Sequence, residues 1–83
     1  MDALYQVGVC YSYGKGTQID KKKGFEFYLK SAKIGNPRAM FAVGHVYQYG
    51  IVGVDVNYQL AKDWYEKAAA QGHNGALKAL QNF

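Results

Sequence analysis

The chain states one pattern twice. Ala3, Val7, Gly8, Tyr11, Tyr13 and Gly14 return as Ala39, Val43, Gly44, Tyr47, Tyr49 and Gly50, each 36 positions later. Gly16, Tyr28, Lys30, Ala32 and Gly35 return as Gly53, Tyr65, Lys67, Ala69 and Gly72, each 37 positions later. The one-residue slip falls between Gly14 and Gly16, where Lys15 is answered by Ile51 and Val52. A loop absorbs such a change in length and a packed helix does not. A period of this size belongs to stacked supersecondary units, each unable to bury its apolar side alone. The chain is thereby directed to a repeat architecture and away from an enclosed catalytic pocket.

Helical spacing fills each unit. Ala3, Leu4, Val7 and Tyr11 predict a helix A1 over 2–13, ended by Gly14-Lys15-Gly16. Asp20 is placed to cap a helix B1 over 21–34, which Gly35 terminates. Asn36-Pro37, a cap followed by proline at the first helical position, opens A2 over 37–49. Asn57 caps B2 over 58–71, Gly72 ends it, and Asn74 is the expected cap of a short A3 over 75–82. Ala76, Leu77 and Leu80 give A3 one apolar side to lay over B2. The expected fold is an all-α solenoid of antiparallel helix-turn-helix repeats. Repeat one spans 1–36 and repeat two 37–73, with a partial third repeat or capping helix over 74–83.

Two glycines give this scheme a physical test. Gly8 and Gly44 lie inside A1 and A2, where glycine costs about 1 kcal/mol relative to alanine. The same sacrifice at one repeat position in both copies implies a partner helix too close for a side chain. Gly24, inside B1 where Ala61 stands in B2, has no such explanation in the sequence.

The apolar share of 49% and aromatic share of 16% supply a core and exclude disorder as the default. The net charge of +4 is local. Residues 1–38 hold seven basic against three acidic groups, and residues 39–83 hold three of each. Lys15, Lys21, Lys22 and Lys23 concentrate the excess, as a solvated face or as a surface for an acidic partner. Cys10 is the only cysteine, so no intrachain disulfide forms. Residues 1–20 hold no apolar run of signal type, and no stretch is long enough to span a membrane. These features set the expectation of a cytoplasmic location and no membrane contact.

The combined spacing resembles the Sel-1-like repeat family, relatives of the tetratricopeptide repeats. The first copy carries it in Ala3, Gly8, Tyr11, Gly14, Gly16, Asp20, Lys23, Tyr28, Lys30, Ala32 and Gly35. The second carries it in Ala39, Gly44, Tyr47, Gly50, Gly53, Val54, Ala61, Trp64, Tyr65, Lys67, Ala68, Ala69 and Gly72. A third copy starts at Ala76 and breaks off. The resemblance implies antiparallel helix pairs and scaffold or adaptor work between proteins. Phe27 for tryptophan and Ser31 for alanine are among the departures, and none removes a helix.

The A helices of such a solenoid line its concave side. The repeated Ala, Val, Gly and Tyr of each A helix, Ala3 and Val7 among them, are expected to face inward to the partner helix. The remaining face of A1 carries Asp2, Tyr5, Val9 and Ser12 with Tyr13 at its end, and that of A2 carries Arg38, Phe41, His45, Gln48 and Tyr49. Lys78 and Gln81 extend it on A3. Tyr5 beside Phe41, and Val9 beside His45, would form an apolar strip with a polar edge, the kind of surface that binds a protein or peptide. The competing role for Tyr5 and Phe41 is to finish the hairpin core. Tyr13 and Tyr49 are expected to pack under the loops. With little more than two units, the chain is expected to be part of a larger protein or to complete itself by stacking end to end.

Single-stranded nucleic acid is the alternative partner, motivated by the lysines and interspersed tyrosines. Their positions argue against it: the lysines start B1, apart from the tyrosine strip. No cofactor or metal site is expected, since His45 and His73 lack ligand spacing. Gly14-Lys15-Gly16 follows a helix and lacks the ending of a phosphate loop. Nothing in the pattern supports an enzyme.

Overall fold

The computed structural model describes residues 2–51 and 53–83; Val52 and the side chain of Asp2 lie outside the described part. Five helices follow in order: α1 (Asp2–Tyr13), α2 (Lys21–Lys33), α3 (Pro37–Tyr49), α4 (Tyr58–Ala70) and α5 (Asn74–Gln81). Helix α1 pairs with α2 and α3 with α4, while α2 packs on α3 and α4 on α5. The overall extents are 35 × 27 × 18 Å. The shallow dimension holds two helix layers and no more. This is the expected all-α solenoid: two hairpins and a fifth helix laid over the second.

Local chemistry sets each helix start. Asp20 Oδ1 accepts the Lys23 N–H at 3.0 Å, and Asn57 Oδ1 accepts the Leu60 N–H at 3.1 Å. Asn36 Oδ1 accepts the Arg38 N–H at 2.9 Å, with Pro37 in the first turn of α3. The start of α5 differs from expectation. His73, not Asn74, is the cap, and its Nδ1 accepts the Ala76 N–H at 3.1 Å. His73 stands at the repeat position of Asn36, so an imidazole nitrogen replaces a carboxamide oxygen. The ring is held by stacking on Phe41, with centroids 4.9 Å apart.

The loops within the hairpins are tied at a common point. The Asp20 N–H donates to the Tyr11 carbonyl at 2.7 Å, and the Asn57 N–H to the Tyr47 carbonyl at 2.9 Å. Gly14 and Gly50 turn out of their helices at φ of 72° and 62°, a left-handed conformation that other residues adopt at a cost. The extra residue of the second loop falls beyond Gly50, where the Val54 N–H closes a turn onto the Ile51 carbonyl at 3.2 Å.

The hairpins cross at the interior glycines. A Cβ on Gly44 would stand 2.7 Å from the Tyr65 ring and 3.2 Å from the Ala61 carbonyl oxygen. A Cβ on Gly8 would stand 2.8 Å from the Tyr28 ring and 3.0 Å from the Gly24 carbonyl oxygen. The close approach inferred from the repeated glycine is therefore made first by a tyrosine ring and then by backbone. Gly24 now has its reason. A Cβ there would run into Ser12 Oγ and stand 2.8 Å from the Gly8 carbonyl oxygen.

One expectation fails at the outer helix. Ala39 and Val43 are fully buried, but their counterparts Ala3 and Val7 are exposed. Helix α3 lies between α2 and α4, whereas the matching flank of α1 has no such helix over it among the described residues. Position in the stack, not residue type, decides burial here. Ser31 departs from the pattern in another way. It is fully buried where the second copy has Ala68, and its hydroxyl has no hydrogen-bond partner among the described residues. Removing an unsatisfied buried hydroxyl and gaining helix propensity act in the same direction. Ser31→Ala is expected to stabilise the fold by about 1 kcal/mol. A thermal melt showing a lower midpoint would refute the isolation of that hydroxyl.

Candidate functional site

A groove of about 380 Å³ runs between α1 and α3, over the start of α2. Its floor is the buried Phe25, Tyr28 and Val46. Its walls are the half-buried Tyr5, Phe41 and Ala42, and its rim carries Tyr13, Lys21, Arg38, His45 and Ile51. Five residues expected from the sequence thus meet in one depression: Tyr5, Ser12, Arg38, Phe41 and His45.

Of the two roles weighed for Tyr5 and Phe41, finishing the hairpin core is met by ring contacts. Tyr5 packs on Tyr28 with ring centroids 5.5 Å apart, and Phe41 packs on Tyr65 at the same separation. One side of each ring closes its hairpin core, and each residue also lines the groove. The remaining candidates divide. Val9 is half-buried against the core and is not part of the groove lining. Gln48 Oε1 accepts the Tyr65 hydroxyl at 2.7 Å, so its carboxamide is held by the hairpin. Ser12, at the same repeat position as Gln48, hydrogen-bonds Tyr28 in the first hairpin while lining the groove. Lys78 and Gln81 are exposed on α5 and stand outside the groove.

These buried phenols stay protonated far above neutrality. Burial pushes Tyr65 up to about 12, with Tyr49 adding a smaller push. Burial also raises Tyr28, partly offset by the hydrogen bond from Ser12. The groove floor therefore offers a neutral, weakly polar surface.

The structure corrects two expectations at the rim. Tyr13 and Tyr49 do not pack under the loops, being 69% and 60% exposed. Tyr13 lines the groove, and the Tyr49 ring packs at a tilt against His45 with centroids 4.7 Å apart. Lys21 was expected apart from the tyrosine strip but lines the same groove as Tyr13 and Phe25. The antiparallel return of α2 brings its first residue beside the last residue of α1, a relation readable from the hairpin. The other lysines do diverge. Lys23 sits 5.0 Å over the Tyr11 ring and Lys30 5.2 Å over Phe27, with Lys67 repeating the arrangement 4.6 Å over Trp64. No acidic side chain lines the groove among the described residues. Nor do the described residues hold a group of three His, Cys, Asp or Glu fit for a metal ion.

Known proteins place these features in context. The Sel1 repeat family model matches residues 2–36 and again 37–73. A Sel1 repeat protein from Oxalobacter formigenes superposes with a TM-score of 0.92 at 42% identity, over 98% of this chain and 60% of that one. Chitin synthase regulator SKT5 of Saccharomyces cerevisiae is 33% identical over 98% of this chain and 12% of its own length. The ERAD-associated E3 ubiquitin-protein ligase component HRD3B of Arabidopsis thaliana is 34% identical over 80% of this chain and 11% of its own. The chain thus spans about an eighth of these two larger relatives or less. Two family matches in tandem, on a fold that superposes throughout, make this chain a member of the Sel1 repeat family.

Proposed function

We propose that the chain is a non-catalytic interaction module whose α1–α3 groove seats a segment of a partner protein. The observation that carries this is the groove itself. Aromatic walls half-buried and packed on core rings present apolar area held in place by the hairpins themselves, which lowers the ordering cost of binding. Rings such as Tyr13 on the rim add contact area with only two side-chain torsions to restrict. The relatives support the same reading, since one is named as a regulator of chitin synthase and another as a component of a ubiquitin ligase.

The test is selection of random 12-residue peptides displayed on phage. Enriched peptides are expected to bind the chain and to lose at least about tenfold in affinity, one good contact's worth, on Ala42→Gln. That substitution fills the groove from a half-buried wall position without removing any ring from the core. Tyr13→Ala, at an exposed rim position, serves as the second variant. Peptides that bind wild type and both variants equally, or no enrichment at all, would overturn the assignment.

A further inference from the structure

Resting on the groove as a peptide seat, we infer that its partner segment is acidic: an apolar anchor with a carboxylate side chain toward each end. The groove is chemically divided along its length. Arg38, in the first turn of α3, stands at one end. Lys21, the first residue of α2, stands at the other with Tyr13 and Ile51, because α2 runs back from the end of α1. Both cations are exposed and neither has an acidic partner among the described residues. Between them the lining is aromatic and aliphatic apart from Ser12 and the His45 imidazole, and it carries no further cationic Lys or Arg. The nearest carboxylate in sequence, Asp20, is committed to capping α2 through the Lys23 N–H.

Spacing defines the ligand further. The stretch of α3 from Arg38 to its end measures roughly 16 Å at the helical rise per residue. That length fits about five residues of extended chain or three turns of helix, with carboxylates at the limits and one or two apolar side chains between. Arg38 can hold a carboxylate with two parallel N–H donors, and Lys21 acts as a point charge. A nucleic-acid strand fits less well. Its phosphates follow one another at every nucleotide and call for a continuous cationic track. Here the cations are confined to the ends, and Lys23 is turned away over Tyr11. The charge excess of residues 1–38 thus acquires a direction: two of its seven basic groups bracket the apolar groove.

The same phage selection decides the matter, read for composition. Enriched peptides are expected to carry Asp or Glu on both sides of an apolar residue. A synthetic copy should lose about tenfold in affinity when its acids become Asn and Gln. It should lose a similar factor on Arg38→Glu or Lys21→Glu, the scale of one charge-assisted hydrogen bond. Lys22→Glu changes net charge equally outside the groove and should leave affinity within about twofold, the residue of long-range screening. Enriched peptides that depend on Ala42 but lack acids, or ignore Arg38→Glu and Lys21→Glu, would overturn the inference while leaving the peptide seat intact. No enrichment, or binding indifferent to both Ala42→Gln and Tyr13→Ala, would sink both. A 12-nucleotide oligothymidine that binds more tightly than the best peptide, with loss on Arg38→Glu, would overturn the inference in favour of nucleic acid.

Discussion

Gly44→Leu is expected to lower the thermal midpoint sharply, with Gly44→Ala intermediate between it and wild type. Helix propensity alone places both variants above wild type, since alanine and leucine each gain close to 1 kcal/mol over glycine in a helix interior. Packing reverses it. A Cβ already stands 2.7 Å from the Tyr65 ring, and that ring is itself buried and hydrogen-bonded to Gln48. Leucine adds three more carbons beyond that Cβ, where none fits, and overpacking of this kind costs about 1–3 kcal/mol or more. A domain of this size has only about 4–12 kcal/mol in hand. A melt in which the leucine variant equals or exceeds wild type would refute the tight crossing of α3 and α4.

Tyr65→Ala should be the most damaging truncation in the chain. Tyr65 is 1% exposed and touches Phe41 and Phe83 with its ring, at centroid distances of 5.5 and 5.9 Å. Removing a buried aromatic ring costs about 3–5 kcal/mol. For a chain of this length the midpoint should fall by roughly 12 °C or more. Tyr65→Phe separates ring from hydroxyl. It keeps the packing, breaks only the bond to Gln48, and should cost about 1 kcal/mol. Chemical denaturation of the three proteins checks the order. Equal losses for the two variants would mean that the hydroxyl, not the ring, supports the hairpin.

What the sequence discloses is what is local. Asp20, Asn36 and Asn57 cap helices because a short polar side chain reaches back to its own next turn, whatever lies elsewhere. The repeat spacing gave the hairpins and the close approach at Gly8 and Gly44 for the same reason: each is written within one unit. What failed to show depends on a second unit or a second helix. Gly24 looks anomalous until Ser12 is known to lie against it. Ala3 and Val7 read as core residues because Ala39 and Val43 are, yet burial is conferred by α2 and not by the residue. Trp64 is the more conspicuous ring in the pattern, but it is half-buried beneath Lys67 while Tyr65 fills the core. In the groove, Tyr5, Arg38, Phe41 and His45 were legible as one helix face repeated. Lys21, Phe25 and Ile51 were not, because they reach it from α2 and a loop. His73 was hidden by Asn74 beside it, a residue of better capping type in a worse place.

The paired bonds from Asp20 to Tyr11 and from Asn57 to Tyr47 have a consequence for how such a molecule can diverge. Each bond fixes the start of the returning helix against the end of the outgoing one, so the register of the hairpin is determined before the intervening loop is counted. The second loop carries one residue more than the first, yet α3 and α4 cross at the same glycine position as α1 and α2. Loop length is thereby uncoupled from architecture. Ile51, on the longer loop, contributes to the groove rim, so these segments can lengthen, shorten or change sequence to reshape that rim without changing the geometry of the helices that build the groove.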